Sequence, residues 1–566
     1  MKLRPYQVES VDSIFEEWKE NTSTLLVLPT GCGKTQVFCE VARRSLPNRS
    51  MILVHRYELA DQAKKRIQGL GIQCDLEMAG FKAKTGGSDF FGTSKLAPVI
   101  VSTIQTQISG SEEEKRMHRF KPDEFGIVIV DEAHHATSKS WVDTINYYKL
   151  NKNLKVLGVT ATPDRADEMA LGQVFDTVAY DYEILDAIKD GWLVPIRQQM
   201  VTIDGLDFSA MRTTAGDLNS GDLAEVMEAE KNLHGVVSAS IDIIKDRRAI
   251  VFAVSVKQAE MYSEIFNRHK EGMSDWVCGK TPKEDRVDKL SRFKNGEVQV
   301  MVNVGVLTEG FDSPEVEVII QARPTKSRSL YSQMVGRSTR PLPGLVDLYD
   351  TPEERTKAIL ESPKPYCLVV DFAGNSGRHK LMTTADILGG KYNDDQIMLA
   401  EYNAKKKGGE VDMQEELELA VEQLEKLRLA EIARRAKVIG KASYSINTLD
   451  PFDVLQIKPD RERGWDSGKS LSESQRAWLL KNGINPDERN YHANKQILNE
   501  LGKRINSKLC SYKQAKALAK HGYDTKQMTF KDASAKLDLL SKNGWSRQRA
   551  EAALAQSKLP MEENPF

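Results

Sequence analysis

The sequence predicts two tandem α/β domains built on parallel sheets, followed by an α-helical C-terminal region. Three observations carry that expectation. Over the first 380 residues, short β-branched runs alternate with longer helical patterns, the signature of strand–helix–strand units. The runs are apolar throughout instead of alternating with polar residues, as strands buried on both faces are. Beyond about residue 380 the strand signal fades and helical periodicity replaces it.

The first series of candidate strands covers residues 25–28, 51–54, 99–102, 127–130 and 156–159. The second covers 250–253, 298–302, 316–320 and 367–370. A divide falls near residues 192–199, with the polar stretch 204–221 after it. The expected organisation is a first sheet domain over 1–195, a connecting region over 196–235 and a second sheet domain over 236–380. A helical extension (381–440), a linker (441–470, with Pro451, Pro459, Gly464 and Gly468) and a tandem helical module (471–550) follow. Within the extension, residues 412–437 read as one amphipathic helix with Leu417, Val421, Leu424 and Leu427 on a stripe. Its acidic start and basic end (Arg434, Arg435, Lys437) suit the helix dipole.

The chain is 566 residues long, too long for one core, and its mean hydropathy of −0.46 is that of a soluble protein. No apolar run reaches the roughly 18–20 residues of a membrane span, and residues 1–7 contain no apolar leader core, so a cytoplasmic location is expected. Six cysteines (Cys32, Cys39, Cys74, Cys278, Cys367, Cys510) never form a CxxC pair, which argues against a zinc or iron–sulfur site. Net charge is −1, but residues 441–566 hold 22 Lys+Arg against 15 Asp+Glu. That is +7, leaving −8 for the rest.

The tail repeats itself. Ser472, Gln475, Leu479, Lys481 and Gly483 match Ser511, Gln514, Leu518, Lys520 and Gly522 at a constant offset of 39 residues. Each copy reads helix, glycine-terminated turn, extended stretch, second helix. Residues 501–550 contain 12 Lys+Arg and 3 Asp+Glu together with Tyr512, Tyr523 and Trp545. Such a surface suits a nucleic-acid backbone, and a protein-docking appendix is the alternative.

Chemistry concentrates at two places. Pro29, Thr30, Gly31, Cys32, Gly33, Lys34 and Thr35 follow a short apolar run and open a helical pattern. Glycines let the backbone fold round phosphates, Lys34 supplies charge at the β/γ-phosphates and Thr35 a hydroxyl to Mg²⁺. The strict phosphate-loop pattern has Gly where this chain has Leu28. About 100 residues on, an apolar run delivers Asp131 and Glu132, followed by Ala133 and His134. Asp131 is placed to anchor Mg²⁺ and Glu132 to orient the attacking water. An acidic pair after a strand is often only a helix cap, but the phosphate loop upstream makes the pair catalytic. ATP and Mg²⁺ are therefore the expected cofactors.

Over residues 1–375 the sequence resembles superfamily 2 helicases with a DEAH-type box, whose motifs appear here in order. The resemblance implies two RecA-like domains with the nucleotide between them. Arg4 and Gln7, in Leu3–Gln7, resemble the motif that reads adenine. Arg56, and Ser102, Thr103 and Gln105, resemble strand-end motifs that grip a nucleic-acid backbone, as does Thr308. Thr160 and Thr162, with His134, resemble the residues coupling the ATP site to that path. Gly310 and Asp312 resemble the ATP-facing part of motif V. Gln333, Arg337 and Arg340 resemble motif VI, the source of arginine fingers. The words Gly191–Pro195, 303–312 and 370–375 resemble RadD-like bacterial and phage DNA helicases. Such proteins can carry a Cys-rich zinc module after this point; this chain has none, so no zinc is expected.

The implied function is an ATP-dependent DNA helicase or translocase acting in repair, recombination or replication, with single-stranded or branched DNA as partner and no membrane. An RNA helicase with the same engine is the first alternative. A nucleic-acid-binding scaffold, or the motor subunit of a restriction or defence assembly, is of another class. The C-terminal repeats are the candidate site for a protein partner.

Overall fold

A computed structural model describes residues 3–85, 96–111, 114–161, 165–214, 216–307, 311, 313–375, 380–390, 392–438, 450–457 and 459–556. It divides into two compact units, 1–427 and 428–566.

The first unit carries two parallel sheets. Strands β1 (Ser23–Val27), β2 (Ser50–Val54), β3 (Cys74–Glu77), β4 (Val99–Thr103), β5 (Ile127–Asp131), β6 (Lys155–Thr160) and β7 (Thr177–Asp181) form a sheet in the order β3-β4-β2-β5-β6-β1-β7. Every pairing in it is parallel. Strands β1, β2, β4 and β5 are buried along their whole length, which is why they read as unbroken apolar runs. Because all strands run the same way, their C-terminal ends share one edge. The phosphate loop, Arg56, Thr103, Asp131 and Thr160 all fall there, as parallel sheets place ligands.

Strand β8 (Ile196–Asp207) opens the second domain, and β9 (Thr213–Thr214) with β10 (Asp217–Leu218) makes a small antiparallel ribbon. Strands β11 (Ala249–Phe252), β12 (Ser274–Cys278), β13 (Val300–Val304), β14 (Val318–Gln321), β15 (Cys367–Asn375) and β16 (Val411–Asp412) complete a second sheet with β8. Its order is β12-β13-β11-β14-β15-β8-β16. All its pairings are parallel except β16 on β8.

Two expectations about organisation change here. The stretch 196–235 is not a plain connection: β8 pairs with β15 from Ile196 opposite Cys367 onward, inside the second sheet. Its polar sequence (Arg197, Gln198, Gln199) concealed it; buried Gln198 is satisfied by the Asp371 carboxylate. The extension after 380 likewise contributes β16. Its long helix, Met413–Val438, buries Met413, Leu417 and Ala420, whereas Leu427 is mostly exposed, so the expected stripe packs only at its N-terminal end.

In the second unit, the repeat is real in the backbone. Ser472 and Ser511 each cap a helix (Glu473–Lys481, Tyr512–Ala519) through a capping box closed by Gln475 and Gln514. Gly483 and Gly522 end the two turns in the left-handed region at φ +77° and +74°. Leu479, Leu518, Leu501 and Leu540 share one core with Phe452, Val454 and Leu455. The last three belong to helix Pro451–Leu455, so part of the expected linker is structural. Among the described residues no helix is long and apolar enough to cross a membrane.

Candidate functional site

The phosphate loop runs from the end of β1 into helix Lys34–Arg44. Leu28 N–H donates to the Thr160 carbonyl (3.0 Å), so the loop leaves the sheet beside β6. Gly31 and Gly33 stand at φ +96° and +77°, a region that favours glycine. A side chain on Gly33 would also strike Gln7, whose Nε2 would lie 2.6 Å from the added Cβ. Gln7 donates to the Cys32 carbonyl (2.9 Å), and the Tyr6 hydroxyl donates to the same oxygen (3.0 Å). The N-terminal helix thus braces the loop from behind.

Two strands away, β5 delivers the acidic pair. Asp131 and Glu132 are buried, and burial first, then the neighbouring Glu132 carboxylate, raise the Asp131 carboxyl above its ordinary range. Lys34 Nζ stands 3.6 Å from Glu132 Oε1. Glu132 itself sits at φ +50°, uncommon for a residue with a side chain, and such backbone strain concentrates at functional positions. His134 Nδ1 lies 3.5 Å from Glu132 Oε2 and 3.3 Å from Thr160 Oγ1. It therefore links the acidic pair to the end of β6.

Two buried carboxylates beside one lysine, with the Thr35 hydroxyl opening the adjacent helix, are an oxygen donor set that suits Mg²⁺. A divalent cation there would offset the charge of the two buried carboxylates.

The second domain meets this loop directly. Helix Arg328–Val335 carries buried Gln333 and ends at Gly336, which packs so closely on Thr30 that an added Cβ would lie 2.6 Å from Thr30 Cβ. Arg340 lies over the loop, its Cγ 3.3 Å from where a Gly31 Cβ would be. Arg337 Nη1 donates to the Phe311 carbonyl (2.9 Å). Val194 N–H donates to the Thr339 carbonyl (2.8 Å), and the buried Lys364 ammonium donates to the Arg340 carbonyl (2.8 Å). Arg340 of one domain thus stands on the phosphate loop of the other, and Arg337 follows the same helix.

Family models match both halves of that arrangement. Residues 1–165 match the model described as type III restriction enzyme, res subunit, and residues 234–341 the helicase conserved C-terminal domain. The chain carries these two helicase-type domains. It is an ATP-hydrolysing, nucleic-acid-dependent enzyme, and it resembles several curated relatives. It is 28% identical over 502 residues to the putative ATP-dependent helicase IRC3 of Saccharomyces cerevisiae (84% of this chain, 67% of the relative). It is 25% identical over 371 residues to the type I restriction enzyme EcoAI endonuclease subunit of Escherichia coli (60% and 44%). With the DNA 3'-5' translocase XPB2 of Sulfurisphaera tokodaii the identity is 25% over 378 residues (60% and 79%).

The helicase's remaining candidate residues divide into several groups. Ser102 is fully buried and its hydroxyl serves the fold, donating to the Glu77 carbonyl (2.7 Å) and accepting from Gln107 (2.7 Å). Thr103 caps the short helix Ile104–Gln107, whose Gln105 is exposed. Arg56 reaches across to the Gly305 carbonyl of the second domain (3.5 Å). Thr162, Thr308, Gly310 and Asp312 lie outside the described residues.

Sequence reasoning missed an aromatic wall beside Gln7. Tyr6 stacks on Tyr182 with ring centroids 5.0 Å apart, and Trp192 packs edge-on against Tyr6. The guanidiniums of Arg4 and Arg355 lie 4.7 and 3.9 Å from the Trp192 ring, and Arg4 pairs with Asp347 of the second domain (2.9 Å). Trp192 in the word Gly191–Pro195 was the available signal.

Proposed function

We propose that the helicase is a DNA translocase or helicase of the DEAH-type, RadD-like group, driven by ATP hydrolysis in the cleft between its two sheet domains. One observation carries the reading: the 333–340 segment rests on the phosphate loop, with Gly336 on Thr30 and Arg340 over Gly31. Lys34 and the loop N–H groups bind the phosphates, Thr35 and Asp131 hold Mg²⁺, and Gln7 with Arg4 faces the adenine. Mg²⁺, when bound, neutralises developing phosphate charge. Glu132, held by its left-handed backbone and flanked by His134, orients the attacking water and takes its proton. Arg337 and Arg340 complete the site only when the domains meet, an arrangement worth about 10³–10⁵ in rate in other NTPases.

His134 and Thr160 pass the state of the γ-phosphate to the strand ends, where Arg56, Thr103 and Gln105 grip the backbone; Ser102 supports them from below. Thr162, Thr308, Gly310 and Asp312 are assigned coupling, gripping and ATP-facing roles from the sequence alone. The named activity of the XPB2 relative favours DNA over RNA. A role in repair, recombination or replication follows from the RadD-like words, and the basic C-terminal unit adds affinity for the nucleic acid.

The second reading, the motor of a restriction assembly, draws on the restriction-subunit relative. Hydrolysis rates with single-stranded, duplex, forked and Holliday-type DNA and matched RNA test the proposal. Equal or stronger stimulation by RNA would refute the DNA assignment.

A further inference from the structure

At the far edge of the first sheet, a four-residue turn is held with more internal structure than a surface loop needs. β3 ends at Glu77, whose carboxylate has no solvent exposure. It accepts from Ala83 N–H (2.7 Å), from Arg116 Nε and from Arg119 Nη1. The other nitrogens of Arg116 donate to the Ala79 and Phe81 carbonyls. Between these anchors the chain reverses: Met78 and Phe81 exchange N–H to C=O bonds in both directions (3.1 and 2.8 Å), and Ala79 sits at φ +46°. A buried carboxylate needs such partners. Their arrangement fixes a turn whose tip presents Phe81, 52% exposed.

An open cup of about 480 Å³ adjoins the turn, lined by Lys82, Ser109, Lys115, His118 and Arg119, with Glu114 its acidic member among the described residues. The segment 114–121 holds Lys115, Arg116, His118, Arg119 and Lys121 against Glu114, although Glu112 and Glu113 precede it in the sequence. Position ties the cup to the strand path. The Ser102 hydroxyl bonds the Glu77 carbonyl, so the turn abuts the end of β4, and exposed Gln105 lies on the next helix. An exposed ring among cations, on the sheet edge that already carries the gripping residues, suits one base and its flanking phosphates.

We propose that the Phe81 turn and its basic cup form a further contact for single-stranded nucleic acid, with the ring stacking on a base and Lys82 and Lys115 meeting phosphates beside it. The site rests on the helicase reading above and extends the strand path beyond Gln105 toward β3. Arg116 and Arg119 act mainly through Glu77, as the clamp that positions the ring.

Two sets of variants of the full chain test it. Lys82→Glu with Lys115→Glu should raise the half-saturating concentration of a single-stranded oligonucleotide for ATPase stimulation about tenfold. The log–log salt slope should fall by about 1.4, two contacts at roughly 0.7 each on a single strand. Hydrolysis without nucleic acid should be unchanged, and Lys82→Arg with Lys115→Arg should restore binding. Phe81→Trp should give a fluorescence signal quenched by single-stranded oligonucleotide in excess of the unmodified chain. Unchanged half-saturation, with normal stimulation of the unmodified chain, would remove this site alone. Quenching by blunt duplex but not by a single strand would overturn the stacking assignment. No stimulation of the unmodified chain by any nucleic acid would remove the helicase reading, and the site with it.

Discussion

Gly336→Ala is expected to disable hydrolysis while leaving both domains folded. Gly336 sits at φ −59°, which alanine adopts freely, so only space matters. The added methyl would lie 2.6 Å from Thr30 Cβ and 3.0 Å from Thr30 Cγ2, with the Ser332 carbonyl at 2.9 Å. Ordinary contact begins at 3.4 Å, so the 333–340 segment and the phosphate loop must separate by about 0.8 Å. Each domain keeps its own core, and the seam is the softer element. Misplacement of a catalytic group by about 1 Å costs on the order of 10²-fold in rate. The expected result is a fall in kcat of about 10²-fold with little change in ATP-analogue affinity or melting midpoint. Gly279→Ala is the control, since no heavy atom lies within 4 Å of its Cβ position. A Gly336→Ala enzyme with kcat within about threefold of the parent would refute the claim that this contact sets the catalytic geometry.

Glu132→Gln should keep ATP and DNA binding and lose most turnover, because only water activation is removed; Lys34→Ala should weaken binding of an ATP analogue itself, measured by titration. Arg337→Ala and Arg340→Ala should each lower kcat far more than nucleotide-free DNA affinity, and a large loss of that affinity with hydrolysis intact would make them strand contacts. Lys364, buried and donating to the Pro314 and Arg340 carbonyls, has its ammonium pushed down to about 8 by burial. The unfolded chain therefore holds the proton more tightly between about pH 8 and 10.5, and stability from this group should rise with pH across that window, by at most about 1.4 kcal/mol per pH unit. Urea midpoints of the parent should show that rise and those of Lys364→Met should not. Truncation near residue 440 should leave DNA-stimulated hydrolysis, since the phosphate loop, the acidic pair and the 333–340 segment all precede the cut. It should also reduce DNA affinity and salt slope, and equal affinities would make the tail a docking module.

Much of the fold was legible because central parallel strands must be apolar on both faces. The expected runs at 51–54, 127–130 and 156–159 became Ser50–Val54, Ile127–Asp131 and Lys155–Thr160. Strands nearer the edges left no such mark. Cys74–Glu77, Thr177–Asp181, Ser274–Cys278 and Ile196–Asp207 mix polar residues into their runs, and all four escaped the periodicity argument. The runs at 298–302 and 316–320 shifted by about two residues, because Val298 and Val316 are buried just ahead of the strands that pair.

At the site, glycine and lysine spacing marked the phosphate loop, and the acidic pair stood where a strand ended. Contacts made across the chain were not legible. Nothing local to Thr30 announces Gly336, nothing near Arg4 announces Asp347, and the strained backbone of Glu132 shows only in three dimensions. Ser102 illustrates the converse: its place in a motif suggested a strand contact, yet its hydroxyl is spent inside the fold.

The most direct test of the central claim is the steady-state ATPase rate of the full chain with and without saturating single-stranded DNA, alongside Arg340→Ala. A low rate without DNA, strong stimulation with it, and loss of the stimulated rate in the variant are expected. Hydrolysis indifferent to nucleic acid, or stimulated hydrolysis that survives Arg340→Ala undiminished, would contradict an ATP site completed across two domains and coupled to a strand.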